Sequence, residues 1–346
     1  MRILGIETSC DETSASIIEG QGKDKKVKLL SNVVSSSIQL HTKTGGIIPE
    51  NAAREQIKYI IPVIEEALLK GVNFTFKKNT DLPIDAIAVT HGPGLIGSLL
   101  VGVETAKTLS FIFNKPLIPT NHLLGHIYAN FIEDKNLPDI KFPALALIVS
   151  GGHTDLLFIK NHDKITWLGG TRDDAAGEAL DKIGRLLNLP YPGGPSIESQ
   201  AKNGNPKAFY FPRPMLSSKD LDFSFSGLKT SVLRKIKEIN LDKKAVRDIS
   251  SSVQEAIIEV LVKKTIKASV KYNAKSILLG GGVSANQKLR DEFNKKIKEE
   301  KLDVNLLVPP KFLCTDNAAM IAAFAFYHQK PIPWQKVSAN PELNFE

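Results

Sequence analysis

The stretch Ala144-Leu-Ala-Leu-Ile-Val-Ser-Gly-Gly-His-Thr-Asp-Leu-Leu-Phe-Ile159 sets the interpretation of the whole chain. Its two apolar runs predict neighbouring strands joined by a short turn that contains Ser150, Gly151 and Gly152. The two glycines are expected to supply positive φ in a hairpin turn. A turn of small residues at strand ends offers N–H groups and hydroxyls to a phosphate or carboxylate. Alone, the turn favours a purely structural hairpin over an anion site.

A second strand–turn–strand pattern lies near the N-terminus. Residues 3–6 are predicted as a strand, a hydroxyl-rich turn follows over 7–13, and residues 14–18 form the next strand. Because the pattern occurs twice and far apart, the sequence predicts duplicated lobes that face each other across a cleft. Asp11 and Glu12 place like charges in the first turn, which indicates a bound cation, a shifted pKa or simply solvated carboxylates.

The composition is that of an ordinary globular protein, with 346 residues of which 42% are hydrophobic and 24% charged. This length predicts two units of ordinary size. The formal charge of +8 permits a nucleic-acid partner, but the lysines are scattered, so charge alone argues weakly for one. Two cysteines, and an N-terminus without an apolar signal region, predict a cytoplasmic protein without disulfides. No apolar run is expected to span a membrane.

A histidine pair suggests a metal site. His122 and His126 are four residues apart in a predicted helix, so they share one face and could hold one ion. Such a pair is more often coincidence and needs a third ligand. Asp316 precedes the predicted helix 318–327 and is either a helix cap or that ligand. Leu123 stands where a zinc protease has its catalytic Glu, which argues against that hydrolytic mechanism.

Two further helices carry informative faces. A helix over 52–70 is predicted to place five apolar residues on one face. These are Ile57, Ile60, Ile61, Ile64 and Leu68. The helix that begins near residue 174 aligns three acids, which either line the cleft or form a solvated face. These are Asp174, Glu178 and Asp181.

Glycines mark three more stretches. The strand-to-helix turn 91–97 is typical of anion sites but matches neither a Walker nor a Rossmann motif. Residues 191–195 predict a rigid loop that lets a ligand approach the backbone. The run Gly280-Gly-Gly282 after an apolar strand suits packing against a nucleoside.

Taken in order, the motifs resemble one family, the bacterial TsaD (formerly Gcp or YgjD) proteins. The resemblance extends from residue 3 to about residue 327. The motifs are Ile6-Glu-Thr-Ser-Cys-Asp-Glu-Thr13, Gly92-Pro-Gly-Leu95 with Gly97, His122-x-x-x-His126, Val149-Ser-Gly-Gly-His-Thr154, Asp174-Ala-Ala-Gly-Glu178, Tyr191-Pro-Gly-Gly-Pro195, Phe223-Ser-Phe-Ser-Gly-Leu-Lys-Thr230, Gly280-Gly-Gly-Val-Ser-Ala-Asn286 and Cys314-Thr-Asp-Asn317.

The resemblance implies an α/β fold of the actin, hexokinase and heat-shock ATPase type, with two duplicated ribonuclease-H-like lobes around a nucleotide cleft. We expect an N-terminal lobe over 1–120 with the tail 325–346 packed back on it, and a C-terminal lobe over 121–324 that carries the metal and nucleotide sites. The implied activity is transfer of threonylcarbamoyl from threonylcarbamoyl-AMP to the exocyclic amine of the tRNA adenosine 3′ of the anticodon, in tRNAs that read codons beginning with A.

The resemblance also implies roles for particular residues. The metal, usually iron with zinc or magnesium as alternatives, is assigned to His122, His126 and Asp316. The acyl-phosphate end of the donor is assigned to Ser150, Gly151 and Gly152, and its nucleoside to Asp181, Gly194 and Asn286. Further substrate contacts are assigned to Ile148, Val149 and Glu198, and catalytic roles to Asp11 and Glu12. His153 is interpreted as a residue that packs or orients a ligand.

The resemblance implies protein partners as well as a tRNA substrate. These are a TsaB-like heterodimer subunit and a TsaE-like ATPase, expected to dock on the N-terminal lobe, with no membrane or DNA. The basic loops near Arg213, Lys219 and Lys229 are candidates for contact with tRNA. The sequence departs from the family pattern at Leu124, where an acid is frequent, and at Asn121, where a histidine is frequent. Neither change removes an expected ligand.

Two other functions remain open from the residues. An ATP-dependent small-molecule kinase of the same fold would use Asp11 or Glu12 as the base toward a hydroxyl substrate, but it would not need metal-binding histidines. A non-catalytic partner subunit would have lost the hairpins and the expected ligands, which are all present.

Overall fold

A computed structural model describes residues 1–22, 25–39, 42, 46–76 and 81–345. The chain divides into two compact units, the first of Met1–Asn136 with Lys311–Glu346 and the second of Leu137–Pro310. The boundaries therefore differ from the expected 120/121 and 324/325. As a result His122, His126 and Asp316 all belong to the first unit, not to the second.

The described residues form ten strands and ten α-helices. The strands are β1 Arg2–Glu7, β2 Glu12–Glu19, β3 Lys28–Ser36, β4 Ala86–Gly92, β5 Leu117–Asn121, β6 Ala144–Val149, β7 Thr154–Asn161, β8 Lys164–Gly170, β9 Ser276–Gly280 and β10 Asn305–Leu307. The helices are α1 Pro49–Val72, α2 Ile96–Phe113, α3 His122–Tyr128, α4 Ala176–Leu186, α5 Gly193–Ala201, α6 Ser226–Glu238, α7 Lys243–Lys271, α8 Gln287–Glu299, α9 Lys311–Cys314 and α10 Ala318–His328.

The two sheets share one topology. In the first unit the strand order is β3-β2-β1-β4-β5, and in the second it is β10-β9-β6-β7-β8. In each unit three antiparallel strands come first, the fourth strand then pairs in parallel with the first, and the fifth pairs in parallel with the fourth. The duplicated architecture predicted from the two strand–turn–strand patterns is confirmed.

The apolar strands lie in the cores of the two units. In the second unit all six residues of β6 are fully buried, as expected for a central strand covered on both faces. One large cluster surrounds it, formed by residues of α4, α6, α7 and α8. In the first unit the corresponding central strand, β1, packs against α10.

A glycine allows α10 to approach β1. A Cβ atom on Gly5 would lie 2.3 Å from the carbonyl oxygen of Ala318. The Ala318 amide also donates to the Ser14 hydroxyl on β2, at 2.9 Å. These contacts join the C-terminal helix to the N-terminal sheet, which explains why residues after 310 belong to the first unit.

Helix α2 differs from the expectation that no segment could span a membrane. Its 18 residues are long and apolar enough for a span by length and composition alone. The same composition suits a core helix, and Leu99, Val103 and Ala106 pack in the core of the first unit. By itself α2 is therefore weak evidence for a membrane.

Candidate active site

The first unit brings His122, His126 and Asp316 together. Both histidines are on α3, which follows β5 directly and is capped by the Asn121 side chain. A Cβ atom on Gly125 would lie 2.8 Å from Ile321 on α10, so the glycine between the histidines permits close packing of α3 and α10. That packing carries Asp316, two residues before α10, to the histidine face.

The distances suit one shared ion. Asp316 Oδ1 lies 3.6 Å from His122 Nε2 and 3.2 Å from His126 Nε2. One ligand atom from each residue lies within 4.8 Å of the others. Nitrogen and oxygen ligands bind zinc-like ions at about 2.0–2.2 Å, so ligand atoms about 3–4 Å apart can share one ion.

The state of His126 tests whether these residues fit a metal. The side chain is 1% exposed, and neither ring nitrogen has a hydrogen-bond partner among the described residues. A buried polar atom without a partner costs about 1–3 kcal/mol. A divalent ion bound to Nε2 would give that nitrogen a partner. Two imidazoles with one carboxylate form a common donor set for such ions. The site therefore fits a divalent metal.

Glu7 orients His122, a role that the sequence does not reveal. Its carboxylate is fully buried at the end of β1, and Oε2 lies 3.1 Å from His122 Nδ1. The same carboxylate accepts bonds from the Ser9 amide at 2.6 Å and from the Thr90 hydroxyl. Such outer partners fix the tautomer of a metal-binding histidine and leave its other nitrogen free for the ion.

The charges around His122 favour its protonated form. Burial opposes the charge, but the neighbouring Glu7 and Asp316 carboxylates outweigh it and raise the pKa of His122 to about 9. Burial likewise raises the pKa of Glu7, and the charge and hydrogen bond of His122 reverse that effect, so its pKa is lowered. The carboxylates thus create a negative pocket that attracts a cation.

The first turn places Asp11 and Glu12 in the same group of carboxylates. The amide of Gln56 on α1 donates to the carbonyls of Thr8, Cys10 and Glu12, at 3.3, 3.1 and 2.9 Å, and holds the turn. Burial, followed by the charges of Asp316 and Asp11, raises the pKa of Glu12 well above its ordinary value. The sequence does not single out Gln56, because one glutamine on a helix has no local pattern.

In the second unit, two hydrogen bonds between Ser150 and His153 hold the turn that joins β6 to β7. The Ser150 amide donates to the His153 carbonyl at 2.9 Å, and the His153 amide donates to the Ser150 hydroxyl at 3.1 Å. Added Cβ atoms on Gly151 and Gly152 would meet nothing within 4 Å. These two glycines therefore leave the turn open to a ligand.

The conformational role expected of Gly151 and Gly152 is wrong. Neither is among the positive-φ glycines of the described residues. Gly281 takes that conformation instead, with φ of +88°, and a Cβ there would lie 2.5 Å from the Val149 carbonyl oxygen. A glycine after β9 thus takes the positive φ that the sequence analysis assigns to the turn itself.

The residues assigned to the nucleoside, together with Glu198, stabilise the starts of two helices, α5 and α8. Asp181 accepts from the Gly193 amide at 2.7 Å, and the Gly194 amide also bonds to it. Glu198 accepts from the Gln287 amide at 2.9 Å. Asn286 caps α8 and donates to Gln254 at 2.8 Å. These bonds fix the surroundings of the glycine-rich stretches.

Two expectations near these residues need correction. The stretch 191–195 is not only a loop, because α5 begins at Gly193. The side chains of Ile148 and Val149 are fully buried in β6, so only their backbone atoms could contact a ligand.

Comparison with solved structures identifies the fold. The chain resembles the HypF structure from T. kodakarensis, with a TM-score of 0.61 and 15% identity over 95% of this chain and 47% of that one. It also resembles an activator of 2-hydroxyisocaproyl-CoA dehydratase from Clostridium difficile with bound ADPNP, with a TM-score of 0.50 and 14% identity over 95% of both chains. These similarities show the actin, hexokinase and heat-shock ATPase fold.

Sequence comparison gives the family. Residues 28–323 match the TsaD family, described as tRNA N6-adenosine threonylcarbamoyltransferase. The enzyme of that name from Thermosipho africanus is 49% identical over 93% of this chain and 92% of its own length, and that from Moorella thermoacetica is 48% identical over 99% and 96%. The chain belongs to the TsaD family of acyltransferases, as its motifs predict.

Replacement of Asp316 tests the metal group. We expect Asp316→Ala to bind metal more than about 100-fold more weakly, since even outer partners of a metal ligand contribute 10–100-fold. The measurement is metal content after dialysis, together with a titration of the stripped protein. Asp303→Ala, which removes a fully exposed carboxylate, is the matched control. Normal metal content in Asp316→Ala would contradict the assignment.

The charged His122 predicts a pH dependence for the metal-stripped protein. Because its pKa rises from 6.5 to about 9, the stabilisation is complete below pH 6.5 and is lost as the pH rises through 9. We expect the free energy of unfolding to fall by about 1–3 kcal/mol across that window, as measured by urea titration. Glu7→Gln should flatten the dependence, and an unchanged slope in that variant would refute the Glu7–His122 pair.

Proposed function

We propose that this chain transfers the threonylcarbamoyl group from threonylcarbamoyl-AMP to the exocyclic amine of the tRNA adenosine 3′ of the anticodon, in tRNAs that read codons beginning with A. Family membership supports the acyltransferase class. The observation that carries the proposal is the His122, His126 and Asp316 group, in which neither ring nitrogen of the buried His126 has a hydrogen-bond partner among the residues that the structure describes. A cytoplasmic location follows from the tRNA substrate.

The reaction forms one bond and breaks one. The amine nitrogen of the adenosine attacks the carbamoyl carbon, the bond from that carbon to the phosphate oxygen breaks, and AMP leaves with the electron pair. The amine then loses a proton. We assign the proton acceptor to Glu12, with Asp11 beside it, because the raised pKa of Glu12 gives a carboxylate that can accept a proton nearer neutral pH.

A bound divalent ion would polarise the oxygens on which charge develops. We propose iron, held by His122, His126 and Asp316, with zinc or magnesium as alternatives. The task of Glu7 is to present Nε2 of His122. Both histidines must be neutral to bind the ion, so loading should release a proton from His122 and should weaken in acid.

The second unit supplies the donor contacts in this proposal. The open turn offers the backbone N–H groups of Gly151 and Gly152 and the hydroxyl of Ser150 to the acyl-phosphate end, and such donors stabilise developing negative charge. Asp181, Gly194 and Asn286 contact the nucleoside directly or through the segments that they fix, and Glu198 provides a further substrate contact. Ile148 and Val149 contribute backbone atoms only.

The kinase alternative is not supported. The family match and the curated relatives all point to acyl transfer to tRNA. The histidine and aspartate group also has no function in simple phosphoryl transfer to a sugar, where carboxylates and phosphates hold the metal.

Nucleoside analysis tests the function. We expect a strain depleted of its own enzyme to lose threonylcarbamoyladenosine from tRNA, and this chain with its partner proteins to restore the nucleoside. Chromatography with mass spectrometry of digested tRNA is the measurement. His126→Ala serves as the inactive control. Failure of the wild-type chain to restore the nucleoside, despite normal expression, would overturn the proposal.

An exposed apolar surface in the first unit supports docking of the TsaB-like subunit. Ile57 and Ile61 on α1 are 65% and 47% exposed, although the apolar pattern groups them with Ile60 and Ile64, which are buried. Ile96 and Leu100 on α2 are also exposed. The helices touch, because a Cβ on Gly97 would lie 3.3 Å from Ala53. Such contiguous apolar patches mark protein interfaces.

We infer that the TsaB-like subunit covers these four residues and that a TsaE-like ATPase binds the resulting complex. Ile57→Glu with Leu100→Glu should abolish the heterodimer, because two charges would be buried in an apolar interface. Size-exclusion chromatography with light scattering of the two purified proteins measures this. Val270→Glu, at an exposed apolar position of the second unit, is the matched control. Heterodimer formation by the double variant would exclude this surface.

A further inference from the structure

The second unit concentrates the positive charge of the chain. The segments 202–207 and 234–248 contain eight basic and three acidic residues, a net charge of +5, whereas the whole chain has +8. Seven of the eight basic side chains are exposed, Lys235 being the exception. We refer to these seven exposed side chains as the basic surface. They are Lys202, Lys207, Arg234, Lys237, Lys243, Lys244 and Arg247. It is distinct from the loops near Arg213 and Lys219, where Arg213 pairs with Glu259 at 2.9 Å.

The acids of these segments do not neutralise the basic surface. Glu238 pairs with Lys235 at 2.5 Å. Asp242 accepts from the Ala245 amide at 2.7 Å, and Asp248 accepts from the Asn205 amide at 2.8 Å. Within the part of the chain that the structure describes, none of the seven side chains has an ion-pair partner within 4.0 Å.

Local packing brings the segments together. Gly204 lies so close to α7 that a Cβ on it would be 2.1 Å from the Arg247 carbonyl oxygen. On α6, Leu228 and Val232 are buried, so Arg234 and Lys237, three residues apart, share the opposite exposed face. Residues 239–242 join α6 directly to α7. The loop, the end of α6 and the start of α7 thus form one continuous surface.

The start of α7 carries its charges at an unfavourable end. Lys243 and Lys244 are in the first turn, which has no acid, and the positive end of the helix dipole repels them. The single carboxylate of Asp242, which caps the helix, offsets the repulsion of the two lysines only in part. Both lysines are exposed and serve no packing purpose. A local arrangement that weakens a helix without a structural gain is typical of a functional surface.

We propose that the basic surface binds the phosphate backbone of the tRNA substrate. This proposal rests on the proposed function, since it names where the substrate of that reaction is held. Unpaired lysines and arginines release the counterions of the phosphates on binding, which provides sequence-independent affinity. Phosphate contacts fix the orientation of the RNA without reading its bases. The surface therefore suits an enzyme that accepts several tRNAs with different sequences.

Charge reversal on the basic surface tests the proposal. The variant carries Arg234→Glu, Lys237→Glu, Lys243→Glu and Lys244→Glu. The matched control carries Lys160→Glu, Lys164→Glu, Lys298→Glu and Lys301→Glu, which change four exposed cations of the same unit by the same charge. The dissociation constant of an unmodified tRNA transcript is measured by fluorescence anisotropy over a series of salt concentrations.

We expect the basic-surface variant to bind tRNA at least about tenfold more weakly and to lose about 3 units of slope in log Kd against log salt, because each phosphate contact contributes about 0.7–0.9. The control variant should keep most of the slope. Equal losses in the two variants would show an effect of net charge alone and would overturn the proposal. Unchanged binding in the basic-surface variant would also overturn it.

A second measurement on the wild-type chain does not depend on folding of a variant. Lysines are acetylated with and without tRNA, and the modified positions are quantified by mass spectrometry. Protection of Lys237, Lys243 and Lys244 but not of Lys160 and Lys164 is expected, and the reverse pattern would refute the surface. If the wild-type chain restores the modified nucleoside but neither the binding assay nor the acetylation assay supports the basic surface, only this inference is wrong. If the wild-type chain does not restore it, the proposed function itself fails.

Discussion

The close contact of α10 with β1 and α3 is the constraint on which the candidate metal site depends. Two glycines permit it: a side chain on Gly5 of β1 would collide with the backbone of α10, and one on Gly125, between the histidines, would displace the Ile321 side chain of α10. The contact places Asp316 beside two histidines that lie about 190 residues earlier in the sequence. Without this approach, the histidine pair would lack Asp316, and the burial of His126 would have no chemical justification.

Polar side chains around that contact are buried in the core of the first unit. Glu7 is fully buried at the end of a central strand, where an apolar residue would ordinarily stabilise the core. It is retained with bonds from Ser9 and Thr90 and with the charge of His122. A buried carboxylate with every oxygen engaged has a fixed position, so the imidazole that it holds is fixed too. The first unit therefore gives up some core stability for a rigid ligand.

Much of the fold could be predicted from local patterns. Apolar runs separated by short polar turns identify the strands, and their repetition predicts the duplicated sheets. The unit boundaries were not predictable in this way, because the return of α10 to the first sheet depends on contacts between residues more than 300 positions apart, such as Ser14 and Ala318. Sequence periodicity carries no information about contacts at that separation.

The candidate site was predictable only where its chemistry has a local spacing. The pair His122 and His126 has such a spacing, and the glycines of the turn 150–152 are recognisable by composition. Glu7 has none, since a single acid at a strand end resembles a solvated residue. The glycine with positive φ was misplaced for a related reason. Gly281 relieves a clash with a different strand, which becomes visible only when β6 and β9 pair.

The division of the first unit between the two ends of the chain has a consequence for biosynthesis. The ribosome makes β1 to α3 first, then the whole second unit, and only afterwards the residues from 311 onward. The carboxylate of Asp316 therefore reaches the histidines after every other part of the candidate site has been translated. A nascent chain that ends before Asp316 therefore holds only two of the three side chains of the candidate site.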